Sequence, residues 1–269
     1  MKKIIFYLIV GLTIFSCKSD DSNSNKNYLK SYYNDAIDTE ILYEYDNDFL
    51  TKVSYSNYGT TTFKYDNRGR LHLKTYGSQT YSYEYDNQNR LIKEIKNGTS
   101  DYITLSYSTG KVIVTEHSSN NSTNLVSEIF IDNLGRVIKT VQMTPTYTSQ
   151  YLIEELTYDI NGNMINCLFS GNVNNEPDLS INFQFDNKIN PIYISYKKLY
   201  NSIYYLEFRN SFFSDSINPN NIISHGTTSS TSTRNITYNV DNLPTKIINS
   251  TIQNGSSQQT TATAFYEYY

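Results

Sequence analysis

Along most of this chain, large apolar or aromatic side chains occupy every second position in short runs that end in an aspartate. Seven pairs carry the pattern: Tyr43 and Tyr45, Phe63 and Tyr65, Tyr83 and Tyr85, Ile129 and Ile131, Leu156 and Tyr158, Phe183 and Phe185, Ile236 and Tyr238. A spacing of two puts both members of a pair on one face of a strand. The polar residue that closes each run is Asp46, Asp66, Asp86, Asp132, Asp159 or Asp186, and Asn239 takes that place in the last full copy. Three positions further on stand Gly69, Asn89, Gly135, Gly162 and Asn242, residue types that tolerate positive φ. An aspartate that can accept from amides ahead of it, followed by such a residue, predicts a type I turn closed by a bulge. Phe49 and Ile189 break the pattern, so the units at Asp46 and Asp186 are expected to turn differently. Return strands are predicted to start at Leu71, Leu91, Val137, Met164, Pro191 and Pro244, with Lys74, Lys93, Lys139 and Lys246 on the solvent side.

Hairpins in series make an antiparallel meander, so the expected fold is all-β. Seven units and a degenerate one at Tyr107–Val112 imply on the order of fourteen to sixteen strands, more than an open twisted sheet easily carries. The sheet is therefore expected to be strongly curved, barrel-like or folded over. The closing run Phe265-Tyr266-Glu267-Tyr268-Tyr269 repeats the opening half of a unit, and is expected to pair with an earlier edge. One domain over 28–269 accommodates the repeat, with an irregular insertion at about 197–235 that lacks alternation and contains a Ser/Thr-rich loop, Gly226 to Thr233.

Composition points the same way. There are 27 Tyr, no Trp and only three Ala, which favours strand over helix. A net charge of −4 supplies no electrostatic footprint for nucleic acid, which is set aside as a partner.

The first residues read as an address. Lys2 and Lys3 precede an apolar stretch from Ile4 to Phe15, too short to span a bilayer comfortably, so 1–16 is read as a signal peptide. Ile14-Phe15-Ser16-Cys17 resembles the lipobox of bacterial lipoproteins, which implies acylation of Cys17. Lys18-Ser19-Asp20-Asp21 is similar to the surface-export signal of Bacteroidota lipoproteins, and 17–27 as a whole reads as a flexible tether. The expected location is the outer membrane, lipid-anchored and facing the cell surface. With Cys17 acylated, Cys167 is left without a disulfide partner and reads as a buried structural thiol.

The Tyr-Asp turns resemble YD (RHS-type) repeats, which build β-rich shells. Three further blocks resemble uncharacterised Bacteroidota lipoproteins with a porin-like β-meander: Phe185-Asp186-Asn187-Lys188-Ile189-Asn190-Pro191, then Pro219-Asn220-Asn221-Ile222, then Tyr238 through Pro244-Thr245-Lys246-Ile247. That resemblance implies an all-β domain on an outer-membrane anchor and brings no catalytic residues with it.

Chemistry-bearing motifs are sparse. His72, His117 and His225 fall on different units without ligand spacing, so no metal or other cofactor is expected. Asp159-Ile160-Asn161-Gly162-Asn163 is explained by turn chemistry without calcium, because the closing Glu of a calcium loop is missing. Glu154 and Glu155 are adjacent strand residues and point to opposite faces, unsuited to paired acid–base work. Tyrosines beyond those the repeat needs, above all Tyr196, Tyr200, Tyr204 and Tyr205, are candidates for stacking on a ligand. The expected role is non-catalytic binding of a glycan or a surface protein. The alternatives are an envelope scaffold without a soluble ligand and, less favoured, a carbohydrate-active enzyme.

Overall fold

The computed structural model describes residues 28–119, 124–143, 151–171, 178–208, 215–253, 256 and 259–269. The signal peptide at 1–16, Cys17, Lys18, Ser19, Asp20, Asp21 and the remainder of the tether lie outside the described residues.

The first half of the chain runs through β1 (Leu29–Asn34), β2 (Thr39–Asp46), β3 (Phe49–Tyr55), β4 (Gly59–Tyr65), β5 (Leu71–Tyr76), β6 (Gln79–Tyr85), β7 (Leu91–Lys96), β8 (Tyr102–Ser108) and β9 (Lys111–His117). It continues through β10 (Leu125–Ile131), β11 (Val137–Met143), β12 (Tyr151–Tyr158), β13 (Met164–Gly171) and β14 (Leu179–Ile189). A helix follows, α1 (Pro191–Glu207), then a 3-10 turn at Asp215–Ile217. The chain returns to strand in β15 (Asn220–Gly226), β16 (Ser230–Tyr238), β17 (Pro244–Gln253) and β18 (Gln259–Tyr268).

Each strand pairs antiparallel with its neighbours in sequence, and β18 also pairs with β1, with Tyr266 opposite Tyr32 and Ala264 opposite Asn34. The meander therefore closes on itself as an 18-stranded barrel. The expectation of a strongly curved sheet and a paired terminal strand is met. The strand number exceeds the expected fourteen to sixteen for a local reason. Eight two-strand units account for β2 to β17, with β15 as the return strand of the Asp186 unit after a helical excursion; the two extra strands are β1, which belongs to no unit, and β18, the closing half unit.

Strand alternation sorts the side chains cleanly. Tyr43, Phe63, Tyr83, Leu105, Ile129, Leu156 and Phe183 are buried on the inner face. The outer face carries cross-strand ion pairs, Glu44–Lys52 at 2.7 Å, Lys111–Glu128 at 2.8 Å and Lys139–Glu155 at 2.9 Å. Lys74 departs from the expected solvent side. It lies one position later after its aspartate than Lys93, Lys139 or Lys246, and pairs opposite the inward Phe63, with its ammonium over the Tyr81 ring. A shift of one residue reverses the face.

The turns are built as the repeat predicts, with an added layer. Asp66, Asp86 and Asp132 each accept from the amides two and four residues ahead at 2.9 Å. The other carboxylate oxygen holds Arg70, Arg90 or Arg136. Each guanidinium in turn covers a tyrosine of the following unit, Tyr85, Tyr107 or Tyr158, at 4.5 to 4.8 Å. Those hydroxyls donate back to the carbonyl that begins the preceding return strand, Tyr85 to Leu71, Tyr107 to Leu91 and Tyr158 to Val137, all at 2.7 Å. Aspartate, arginine and tyrosine thus link one hairpin to the next around the rim. Asp159 and Asn239 cap their turns in the same way. Gly135 has φ +78°, and a Cβ there would stand 3.3 Å from the Tyr205 hydroxyl, so both backbone and neighbour favour glycine. As expected, the Asp46 turn differs, with Asn47 and Asp48 both at positive φ. Asp186 forms no hairpin turn and lies inside β14.

These aspartates make the fold acid-sensitive in a defined window. At Asp66 and Asp132 burial pushes the carboxyl pKa up, but the amides and guanidinium outweigh it; at Asp86 the Arg90 amide leads. All three sit below the ordinary carboxylate value. A carboxylate whose folded pKa is depressed stabilises the fold above its unfolded pKa, about 3.9, and that stabilisation is lost as pH falls through the folded value. Thermal melts should therefore lose stability below about pH 4. Changing all three to Asn should lower the melting temperature at pH 7 and flatten the acid decline. An unchanged acid slope in that variant would count against the assignment.

The insertion corrects the sequence reading in three places. Pro191 does not begin a return strand; it is the first residue of α1, where its fixed φ suits a helix and no amide is needed. Asn190 caps it, accepting from the amides of Ile192 at 3.0 Å and Tyr193 at 3.5 Å. Gly226 to Thr233 is the connection and start of a hairpin rather than a loop, with His225 opposite Ser232. Little of 197–235 that is described is irregular; Phe212, Phe213 and Ser214 lie outside the described residues.

A ring of this many strands encloses more space than its own inward side chains fill. The helix occupies part of it. Leu199, Ile203 and Leu206 are buried in the same cluster as the inner wall. Ser195 accepts from the Tyr45 hydroxyl at 2.7 Å, Ser202 accepts from the Leu71 amide at 3.0 Å, and the Tyr205 hydroxyl donates to the Gly135 carbonyl at 3.0 Å. Because Leu71 and Gly135 belong to aspartate turns, α1 lies across the turn end of the lumen. The three blocks singled out in the sequence meet beside it. Asn221 and Tyr238 both donate to Asp186, Lys188 covers the Tyr238 ring at 3.5 Å, and the Asn190 side-chain amide donates to the carbonyls of Asp215 and Asn218.

Candidate functional site

Between α1 and the rim opens a cleft of about 720 Å³. One wall is the helix face carrying Tyr193, Lys197, Tyr200, Asn201, Tyr204 and Tyr205, which follow one another at helical spacing. The opposite wall is made of turn ends from four successive hairpins, including Asn89 and Arg90, Tyr107, Leu134 to Arg136, and Asn161. The size falls in the range of small-molecule and oligomer sites.

Of the four tyrosines predicted to stack on a ligand, Tyr200, Tyr204 and Tyr205 line this cleft. Tyr196 does not. It turns into the lumen, with its ring edge-on to Tyr43 at 6.3 Å, and lines a smaller cavity beside Val53 and Phe63. Tyr204 is wedged against Phe208 and Tyr205, and burial pushes its hydroxyl pKa up to about 12. Tyr200 shares a 2.7 Å hydrogen bond with Ser216. These hydroxyls remain protonated at neutral pH and act as neutral polar groups.

Several cleft residues were not singled out in the sequence: Tyr193, Lys197, Asn201, and the arginines Arg90 and Arg136. The signal for the arginines was the recurrence of Arg four residues after Asp66, Asp86 and Asp132. For the helix it was Asn190-Pro191 followed by apolar residues at i, i+4 and i+7, from Leu199 through Ile203 to Leu206.

The remaining candidates are dispersed. His72 is exposed, His117 stacks on Tyr102 at 4.3 Å, and His225 stacks on Phe183 at 6.0 Å. No grouping of His, Cys, Asp and Glu suited to a metal occurs among the described residues. Glu154 is buried and accepts from Thr140 at 3.1 Å, whereas Glu155 faces outward to Lys139. The two carboxylates lie on opposite faces of β12.

Cys167 is buried on the inner face opposite Leu156. Burial, with Glu154 adding to it, pushes its thiol pKa up to about 12. Since the thiolate is the reactive form, the native thiol should resist a disulfide reagent at pH 8 and react stoichiometrically in denaturant. Fast labelling of the native protein would contradict this burial.

The fold and cleft together define a closed antiparallel barrel with a helix across one mouth. No protein-family model matches the chain, and no curated protein matches it. Among solved structures, a porin-like protein from Bacteroides uniformis ATCC 8492 aligns with TM-score 0.36 and 14% identity, over 91% of this chain and 98% of that one. A porin-like protein from Bacteroides vulgatus ATCC 8482 aligns with TM-score 0.37 and 11% identity, over 90% of this chain and 99% of that one. The structure of TcdB2-TccC3-Cdc42 aligns with TM-score 0.35 and 12% identity, over 85% of this chain and 14% of that one.

Proposed function

We propose that this chain is a lipid-anchored, cell-surface binding protein of the outer membrane, without catalytic activity, and that its ligand is a glycan seated in the rim cleft. The observation that carries this reading is the lining of that cleft: flat tyrosine faces beside the side-chain amides of Asn89, Asn161 and Asn201, with no carboxylate among the described lining residues. Aromatic faces suit the apolar faces of sugar rings, and amides both donate to and accept from hydroxyls. A glycosidase would need two carboxylates facing across the cleft, and this lining supplies none.

Two features support an anchored barrel standing in water. A membrane-spanning barrel needs an outward apolar band, and a lysine on a lipid-facing wall costs about 2–4 kcal/mol near the midplane. Here the outer wall carries exposed Lys64 and the ion pairs Lys52–Glu44, Lys111–Glu128 and Lys139–Glu155. The lipobox at Cys17 supplies an anchor that needs no spanning strand. An envelope scaffold that assembles through open sheet edges is less favoured, because the β1–β18 pairing leaves no such edge at the seam.

The test is a thermal-shift screen of the full chain in detergent against neutral and acidic plant and host oligosaccharides. A ligand that binds only the folded state raises the melting temperature with its concentration. The expected result is a dose-dependent rise with one glycan class, abolished in Tyr193→Ala and Asn201→Ala variants whose own melts are unchanged. A cooperative melt that no glycan shifts would overturn the proposal.

A further inference from the structure

The cleft's charge carries the reading one step further. Among the described residues its lining includes three cationic side chains, Arg90, Arg136 and Lys197, and no acidic one, in a protein whose net charge is −4. The two arginines are held ready. Each places Nε and Nη2 on the Oδ2 of its turn aspartate, at 2.7 to 2.8 Å, and lies flat over a tyrosine. Neither has a hydrogen-bond partner for Nη1 among the described residues, whereas the equivalent Nη1 of Arg70 donates to Asn89 at 3.0 Å. The Arg90 and Arg136 side chains are 44% and 31% exposed, so those free edges are within reach of a ligand. Asp86 and Asp132 offset their charge, leaving directed N–H donors rather than bare cations. Lys197 is different: it is exposed, has no carboxylate partner among the described residues, and its ammonium stands 5.7 Å from the Tyr193 ring.

Arg90 precedes β7 and Arg136 precedes β11, so four strand spacings separate them. At about 4.8 Å per strand they stand roughly 19 Å apart around the rim. A single small anion cannot span that distance, but an extended polymer bearing repeated acidic groups can. We infer that the rim cleft binds an anionic oligosaccharide, its carboxylates or sulfates received by Arg90, Arg136 and Lys197 and its sugar faces by the tyrosines of α1. This inference rests on the glycan-binding reading above and adds the ligand's charge to it. Fixed guanidinium forks are suited to carboxylate and sulfate oxygens, because little side-chain freedom is lost when the bond forms.

The experiment is calorimetric titration of the full chain in detergent at low salt with four probes of matched length. They are oligogalacturonate, a sulfated oligogalactan, the uncharged oligogalactose and poly-glutamate. The expected result is binding of one or both acidic sugars at least about tenfold tighter than the neutral one. That preference should shrink as salt is raised, since exposed charges are screened. Lys197→Glu should remove it, and Lys197→Met should weaken it, with melting temperatures close to the parent's. Arg136→Lys keeps the charge but loses the fork, and should weaken acidic sugars while sparing the neutral one. The uronate and sulfate arms decide which acidic group is read. Equal binding of neutral and acidic sugars would overturn the charge inference and leave glycan binding standing. Binding of poly-glutamate alone, or of nothing, would overturn both.

Discussion

Cutting the chain after Gln253 is expected to abolish its cooperative melt. The cut removes β18, the strand that joins the two ends of the meander. β17 loses a run of seven register partners, Lys246 to Ile252, and β1 loses its partners from Leu29 to Asn34. Inside, Tyr266 disappears from its edge-on contact with Tyr32 at 5.0 Å, together with buried Ala264 and the Tyr268 hydroxyl bond to the Pro244 carbonyl at 2.6 Å. Truncating one fully buried aromatic costs about 3–5 kcal/mol. Domains of this kind carry only about 5–15 kcal/mol in total. Losing the aromatic, the ladder bonds and the seam together should exceed that reserve. Two unpaired edges would then invite association between chains. Calorimetry and size-exclusion chromatography check this: no cooperative transition and a shift to large species are expected. A single sharp transition within a few degrees of the intact chain would show that closure is dispensable. Tyr266→Ala is the milder companion, expected to remain folded and to lose about 3–5 kcal/mol in urea.

Asn190→Ala is expected to cost about 3 kcal/mol, far more than an exposed helix cap. An ordinary cap is worth about 1 kcal/mol. Asn190 is 3% exposed, and it also donates to the carbonyls of Asp215 at 2.6 Å and Asn218 at 2.9 Å. Losing these two part-buried and buried hydrogen bonds adds about 1–3 kcal/mol. The same bonds dock the 3-10 turn against the start of α1, so the helix should loosen first. Hydrogen exchange should show faster exchange in Pro191–Glu207 than in the barrel strands, and glycan affinity should fall with it because α1 forms one wall of the cleft. Asn190→Asp, which can still accept from Ile192 and Tyr193 but cannot donate to the carbonyls, separates the two contributions. A loss near 1 kcal/mol for Ala would mean that the two side-chain donations add nothing beyond the cap.

The barrel strands were legible because their information is local. An inward pair two apart, an aspartate, and a glycine or asparagine three further on specify a strand, a turn and a register within about ten residues. The turns at Asp66, Asp86, Asp132, Asp159 and Asn239, and the return strands from Leu71, Leu91, Val137, Met164 and Pro244, follow from that alone. The helix was obscured by the same frame. Aligning Asp186 with the other aspartates turned Pro191 into a strand start, although Asn190-Pro191 is a good helix opening when considered by itself.

What the tertiary structure alone decided is everything that depends on distant residues meeting. Whether a long curved sheet closes or folds over turns on β1 and β18, which are more than two hundred positions apart and share no motif. The lumen's width follows from the strand number, and only that width admits α1. Arg90 and Arg136 look like generic turn residues in sequence. They become cleft donors because a helix from elsewhere in the chain is laid beside them, while Tyr196, one position from Lys197, is turned into the core by the same helix. Local alternation specifies which face a side chain takes, but burial and partnership are set by what closes over that face, and no short-range pattern encodes the closing element.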